Sequence, residues 1–276
     1  MRLIRLDDEP STVGADVRTS LTVWGAGRGV FGGVGVFGCQ PPGCPRPLDA
    51  VLVLPRGVIV VVGVDLSDPA LTVDAPVHTP WTVDGWPLVR TEGDVNPALE
   101  AMQAATALAK TLHDREAEPL PVSTIVAVGP YADRITQPTQ DLNRGVRVLC
   151  PTTRTMLSAV RELATYEDTC RAEPAARVLR ILGAGSQRLG MATLVDEGFP
   201  DVASGLASSE TTRLKKVPDE DAERSAQRGS SRSTTDRAVA GTPQDALTRR
   251  RTITLGFVAL LVCLAAVLVL MLGTPN

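Results

Sequence analysis

The chain comprises 276 residues, 43% hydrophobic, 21% charged and only 3% aromatic, with a formal net charge of −3. That length holds one substantial core plus appendages, and with so few aromatic side chains Val, Leu and Ala must build that core. The near-neutral balance excludes the global basic field of proteins that neutralise many phosphates, so nucleic acid stays open as a partner without support from charge.

The first residues, MRLIRLDDE, lack a long apolar run and carry three acids, which is not the pattern of a signal peptide. Downstream, short β-branched runs predict strands over residues 21–24, 34–37, 50–54, 58–64, 124–128 and 146–149. Gly27, Gly29 and Gly32 match GxGxxG. The next residues, Gly33-Val34-Gly35 and then Pro41-Pro42, are no helix whose N-terminus could face a pyrophosphate, so the glycines read as a connection between strands. Cys39 and Cys44 could offer two thiolates, but no second pair stands at ligand spacing and the only histidines are His78 and His113. No metal and no cofactor is therefore expected. With Cys150, Cys170 and Cys263 the cysteines are odd in number and scattered, which argues against a disulfide framework.

The clearest hairpin joins 50–54 to 58–64 through Pro55-Arg56-Gly57. The run from Val58 to Val64 is apolar on both faces, as befits a central strand covered from two sides. A second hairpin is marked by Asp84-Gly85, the type I′ dipeptide, which puts Trp81, Val83, Trp86 and Leu88 on one face. That face is expected to lie on the domain; a surface platform of Trp81 and Trp86 for a ligand is the sharper alternative.

Helices come next. Asn96-Pro97 supplies an N-cap and a first-turn proline, with Leu99, Met102, Ala105 or Thr106, Ala109 and Leu112 inward. Pro151-Thr152-Thr153 opens another, with Met156, Leu157, Val160 and Leu163 inward; Pro174 opens a third ending near Gly183, and 186–197 suits a fourth. No GxxxxGK[ST], GxSxG or HExxH occurs, so nucleophile–base catalysis has no candidate. The order of elements predicts an α/β fold, a mixed sheet with helices on its faces.

Residues 204–252 contain no aromatic side chain and no Ile, and Ser, Thr, Arg, Asp and Glu dominate. Such a stretch cannot offset its ordering entropy and is predicted to be a disordered tether with a reach on the order of 40 Å. Thr211, Thr212, Ser230, Ser231, Ser233, Thr234 and Thr235 lie in it beside basic residues as candidate phosphorylation sites, although a solvated linker is the plainer reading. From 253 to 272 the sequence ITLGFVALLVCLAAVLVLML carries no charge and no proline. A helix of that length spans roughly 30 Å, the hydrocarbon thickness of a bilayer. Arg249, Arg250 and Arg251 abut its N-terminal end, so the positive-inside rule places the preceding domain on the cytoplasmic side of the cell membrane, held by a single span.

Asp49, the Gly57-Val58 turn, the strand running to Val64, the Trp81…Asp84-Gly85-Trp86 hairpin and Asn96-Pro97 at a helix head together resemble the nuclease-related domain, NERD. This family is a branch of the restriction-endonuclease-like superfamily, and the resemblance covers about residues 20–165. In that family an Asp opens one strand and a Gly-Val turn leads into the next, which ends in Glu-x-Lys. A tryptophan hairpin and Asn-Pro-x-x-Gln lie further along. By this resemblance Asp49 stands at the family aspartate and Gly57 with Val58 at the turn. The Glu and Lys positions fall on Val62 and Val64, and the Gln position on Glu100, with Gln103 three residues on. The resemblance implies a divalent cation held by the two carboxylates and a Lys that orients or activates water. Two of those three groups are apolar here. Asp65, at an odd offset from Val62, is expected on the opposite face of its strand, and Asp49 then has the plain role of capping a turn.

The expected organisation is a restriction-endonuclease-like α/β domain over 1–203, a tether over 204–252 and a transmembrane helix over 253–272. The leading expectation is a catalytically degenerate, membrane-anchored scaffold that binds a protein partner or nucleic acid. Two alternatives stand beside it. One is an active metal-dependent nuclease using Asp49 with displaced Asp65, Asp74 or Glu100; the other is a signalling adaptor regulated through a phosphorylated tether.

Overall fold

The structure, a computed structural model, describes residues 1–90, 96–186 and 189–201. All of them belong to the first of two compact units, Met1–Val217. The second unit, Pro218–Asn276, lies outside the described residues, as do the predicted tether, the Arg249, Arg250 and Arg251 cluster and the 253–272 segment. Among the described residues no helix is long and apolar enough to cross a membrane.

The elements run β1 (Arg2–Arg5), α1 (Thr12–Thr22), β2 (Val34–Cys39), β3 (Leu48–Leu54), β4 (Gly57–Asp65), β5 (Ala70–Asp74), β6 (Thr82–Val83) and β7 (Trp86–Pro87). Then come α2 (Pro97–Asp114), β8 (Val122–Gly129), β9 (Ala132–Thr136), α3 (Thr139–Leu142), β10 (Val146–Leu149), α4 (Thr153–Leu163), α5 (Ala172–Ile181) and α6 (Met191–Asp196). Six strands make a mixed sheet in the order β1-β2-β3-β4-β8-β10. It is antiparallel at β2–β3 and β3–β4 and parallel at its other pairings. The fold is therefore α/β with a mixed sheet flanked by helices, as the element order predicted.

Both faces of this sheet are covered, which is why β3 and β4 show no alternation of apolar and polar residues. On one face Val51, Val53, Val58 and Val60 pack with Ala104, Leu108 and Leu112 of α2 and Ala175, Val178 and Leu179 of α5. On the other, Ala50, Leu52, Ile59 and Val61 meet Val13, Val17 and Leu21 of α1 and Met156, Val160 and Leu163 of α4. Cys39, Cys44 and Cys170 are buried free thiols within the first of these layers. Burial pushes both Cys39 and Cys170 up to about 12, so neither supplies a thiolate at neutral pH.

Three expectations need correction. Residues 21–24 do not form a strand, because they end α1, where Val13, Val17 and Leu21 recur at helical spacing behind an N-cap at Ser11. The buried face of α2 is Ala98, Ala101, Ala105, Leu108 and Leu112, while Leu99 is exposed. Alanines bring a helix axis close to a sheet, so the close face is the small one and the larger side chains of Leu99 and Met102 sit at its margin. Finally, the two tryptophans do not share a surface. Trp81 is 0% exposed and its Nε1 donates to the Pro76 carbonyl at 3.1 Å, whereas Trp86 is 76% exposed. The hairpin itself forms as predicted, with Asp84 at φ 50° and Gly85 at φ 82°. It belongs to a second sheet, β7-β6-β5-β9, whose inner side packs Val73, Trp81 and Leu88 against Val64, Val126 and Ala98.

Candidate functional site

The first turn of a helix leaves backbone N–H groups without intrahelical partners. In α1 two carboxylates from neighbouring strands meet that need. Asp49, near the start of β3, accepts the Ser11 N–H at 3.1 Å and the Ser11 hydroxyl at 2.5 Å on Oδ1, and the Gly63 N–H at 2.6 Å on Oδ2. Asp65, at the end of β4, accepts the Thr12 N–H at 3.0 Å on Oδ2, and the Thr12 hydroxyl at 2.7 Å and the Val13 N–H at 3.1 Å on Oδ1. The approach is this close because residue 63 has no side chain: a Cβ at Gly63 would collide with Ser11 Oγ.

Asp49 is only 2% exposed. Burial pushes its carboxyl above the ordinary 3.8, and the neighbouring charge of Asp65 adds to the rise. Hydrogen bonds from the Ser11 hydroxyl, the Gly63 N–H and the Ser11 N–H act in the opposite direction without cancelling it.

Beside this clamp lies a cleft of about 770 Å³ lined by Asp49, Val62, Asp65, Arg46, Arg90, Glu100 and Gln103, among others. Val62 is one position past the Ala50–Val61 pair in the β3–β4 register, so it stands next to Asp49 and presents an isopropyl group to the cleft. Val64 is buried in the apolar layer beneath the Trp81 hairpin. Glu100 sits between two guanidinium groups, at 2.8 Å from Arg90 and 3.3 Å from Arg46.

Of the three carboxylates that could stand in for missing ligands, Asp65 and Glu100 share the cleft with Asp49, and Asp74 does not. Asp74 is exposed on β5, where it accepts the Thr82 hydroxyl at 3.4 Å. Asp65 is engaged by the helix and Glu100 by the arginines. Among the described residues no three His, Cys, Asp or Glu side chains are grouped so as to hold a metal ion. A hard divalent cation needs several oxygen ligands with lone pairs to give, and the Asp49 oxygens already accept three hydrogen bonds. The donor set does not fit such a cation. Candidates Thr211, Thr212, Thr234 and Thr235 lie outside the described residues.

The roles of Ser11 and Thr12 are not evident from the sequence, although two signals point to them. Pro10-Ser11-Thr12 precedes a helical apolar spacing, and Gly63 interrupts an otherwise β-branched strand, a mark of close backbone approach. No protein-family model matches the chain, and comparison with curated proteins and with solved structures likewise gives no match.

Proposed function

We propose that the chain is a restriction-endonuclease-like domain of the nuclease-related kind in which the catalytic position has become structural, and that it acts as a membrane-anchored binding module at the cytoplasmic face. One observation carries this: the carboxylate of Asp49, at the wall of the cleft, is buried and already accepts hydrogen bonds from Ser11 and Gly63. The residues that carry the resemblance lie on the following elements. Asp49 lies near the start of β3, Gly57 and Val58 open β4, and Val62 stands beside Asp49. The Asp84-Gly85 hairpin comes after them, and Asn96 caps α2. Anchorage is supported by the uncharged 253–272 segment and the arginines before it.

Metal-assisted phosphodiester hydrolysis, the chemistry the resemblance implies, needs a cation beside the scissile phosphate and a group that activates water; Val62 and Val64 provide neither. The full-length protein, incubated with supercoiled plasmid or with RNA in Mg²⁺ or Mn²⁺, should leave both intact. EDTA-sensitive nicking that is lost in Asp65→Asn or Glu100→Gln would restore the active nuclease with displaced carboxylates.

A further inference from the structure

The second sheet ends in an apolar tip. Leu71 is 70% exposed, Trp86 76% and Tyr131 53%. Backbone geometry places them at one end of that sheet. The Leu71 N–H donates to the Asp84 carboxylate at 3.0 Å, and Asp84-Gly85 is the turn that leads into Trp86. On the other side of Leu71, the Ala70 N–H donates to the Tyr131 carbonyl at 3.0 Å. Trp24 and Trp81 are both buried, so exposure of tryptophan is not general in this chain but confined to this tip.

We infer that this tip rests on the lipid–water interface of the bilayer. The inference depends on the anchored reading of the chain. Tryptophan and tyrosine rings favour the headgroup level because each has an apolar body and a polar edge, and a leucine between them can enter the acyl boundary. On the anchored reading about 50 residues separate Asp201 from the apolar 253–272 segment, and a flexible chain of that length would keep the domain within a distance on the order of 40 Å of the membrane. At so short a distance a contact too weak to bind free vesicles is sufficient. Beside the tip stand Asp84, which accepts the Leu71 N–H, and Asp133, which accepts the Tyr131 hydroxyl at 3.2 Å, with Arg134 opposite Thr72, a mainly acidic rim that disfavours anionic lipid. The lipid it fits is zwitterionic.

The test uses the full chain reconstituted in phosphatidylcholine vesicles, with and without bromine on the acyl chains, with flotation and tryptophan fluorescence as readouts. The 253–272 segment contains no tryptophan, and Trp86→Phe isolates the Trp86 emission by difference. The expected result is a blue-shifted Trp86 emission that brominated lipid quenches. Replacing part of the phosphatidylcholine with phosphatidylserine should weaken the quenching, and so should Leu71→Ser. A chain that floats while Trp86 stays unquenched and open to acrylamide overturns the contact and leaves the anchor standing. Shielding of Trp86 that grows with protein concentration without bromine quenching assigns the tip to a second copy and also overturns it. A chain that does not float overturns the contact together with the anchored reading.

Discussion

Asp49 holds three hydrogen bonds on two oxygens at a site where water has almost no access. Truncation to Ala would leave the Gly63 N–H and the Ser11 donors without their acceptor, a loss of about 2–4 kcal/mol for orphaned, largely buried donors. Urea or thermal denaturation of Asp49→Ala should show it. The pH dependence has a definite sign. Because burial raises the folded carboxyl above its ordinary 3.8, the fold binds the proton more tightly than the unfolded chain does. That contribution is complete below 3.8 and is lost as pH rises through the folded value. The stability advantage of the wild type over Asp49→Ala should therefore shrink as the pH is raised from about 4 towards neutrality; an advantage that grows over this interval would contradict the assignment. The position of Asp49 near the start of a strand was legible in the sequence. Its partners were not, because Ser11 lies 38 positions away and only the tertiary fold brings it there.

At the scale of elements, the N-terminus of α2 is secured by one side chain. Asn96 Oδ1 accepts the Leu99 N–H at 3.1 Å, while Nδ2 donates to the carbonyls of Val77 and Thr79, both at 2.8 Å. The residue thus caps a helix and ties down the loop before the tryptophan hairpin. Asn96→Ala should cost about 2–4 kcal/mol, the sum of a lost cap and of carbonyls left without a donor. Asn96→Asp is the informative control. It keeps the cap acceptor and suits the helix dipole, but it sets a carboxylate against two carbonyl oxygens, so it should fail to restore stability in the same denaturation experiment. Capping is local chemistry, which is why Asn96-Pro97 was readable as a helix start. The buried face of α2 was less so: periodicity weighted towards Leu99 and Met102 pointed away from the alanine face that the sheet accepts. Helix α1 was missed for a related reason, since a β-branched and aromatic ending in Val23-Trp24 outweighed the Ser11 cap ahead of it. Strands β1, β5 and β9 are short, and β5 and β9 find their partners only in each other and in the hairpin, information no single segment carries.

For the whole molecule the question is whether the α/β domain depends on the residues C-terminal to it. The three apolar clusters among the described residues close entirely between Met1 and Phe199, with helices on both faces of the six-stranded sheet and the second sheet packed against α2. A bilayer accommodates the full length of a segment as apolar as 253–272. Removal of residues 252–276 should therefore release the protein from the membrane pellet into the soluble fraction with an unchanged far-ultraviolet circular dichroism spectrum and an unchanged melting temperature. Fractionation and spectroscopy of the truncated chain check both halves of the statement. If the truncated protein aggregates or loses helix and sheet signal, the apolar segment completes the core of the domain, and neither the anchor nor the lipid contact of the Trp86 tip survives. If it stays folded but the full-length protein also remains soluble after cell breakage, the domain is independent and the segment serves something other than anchorage.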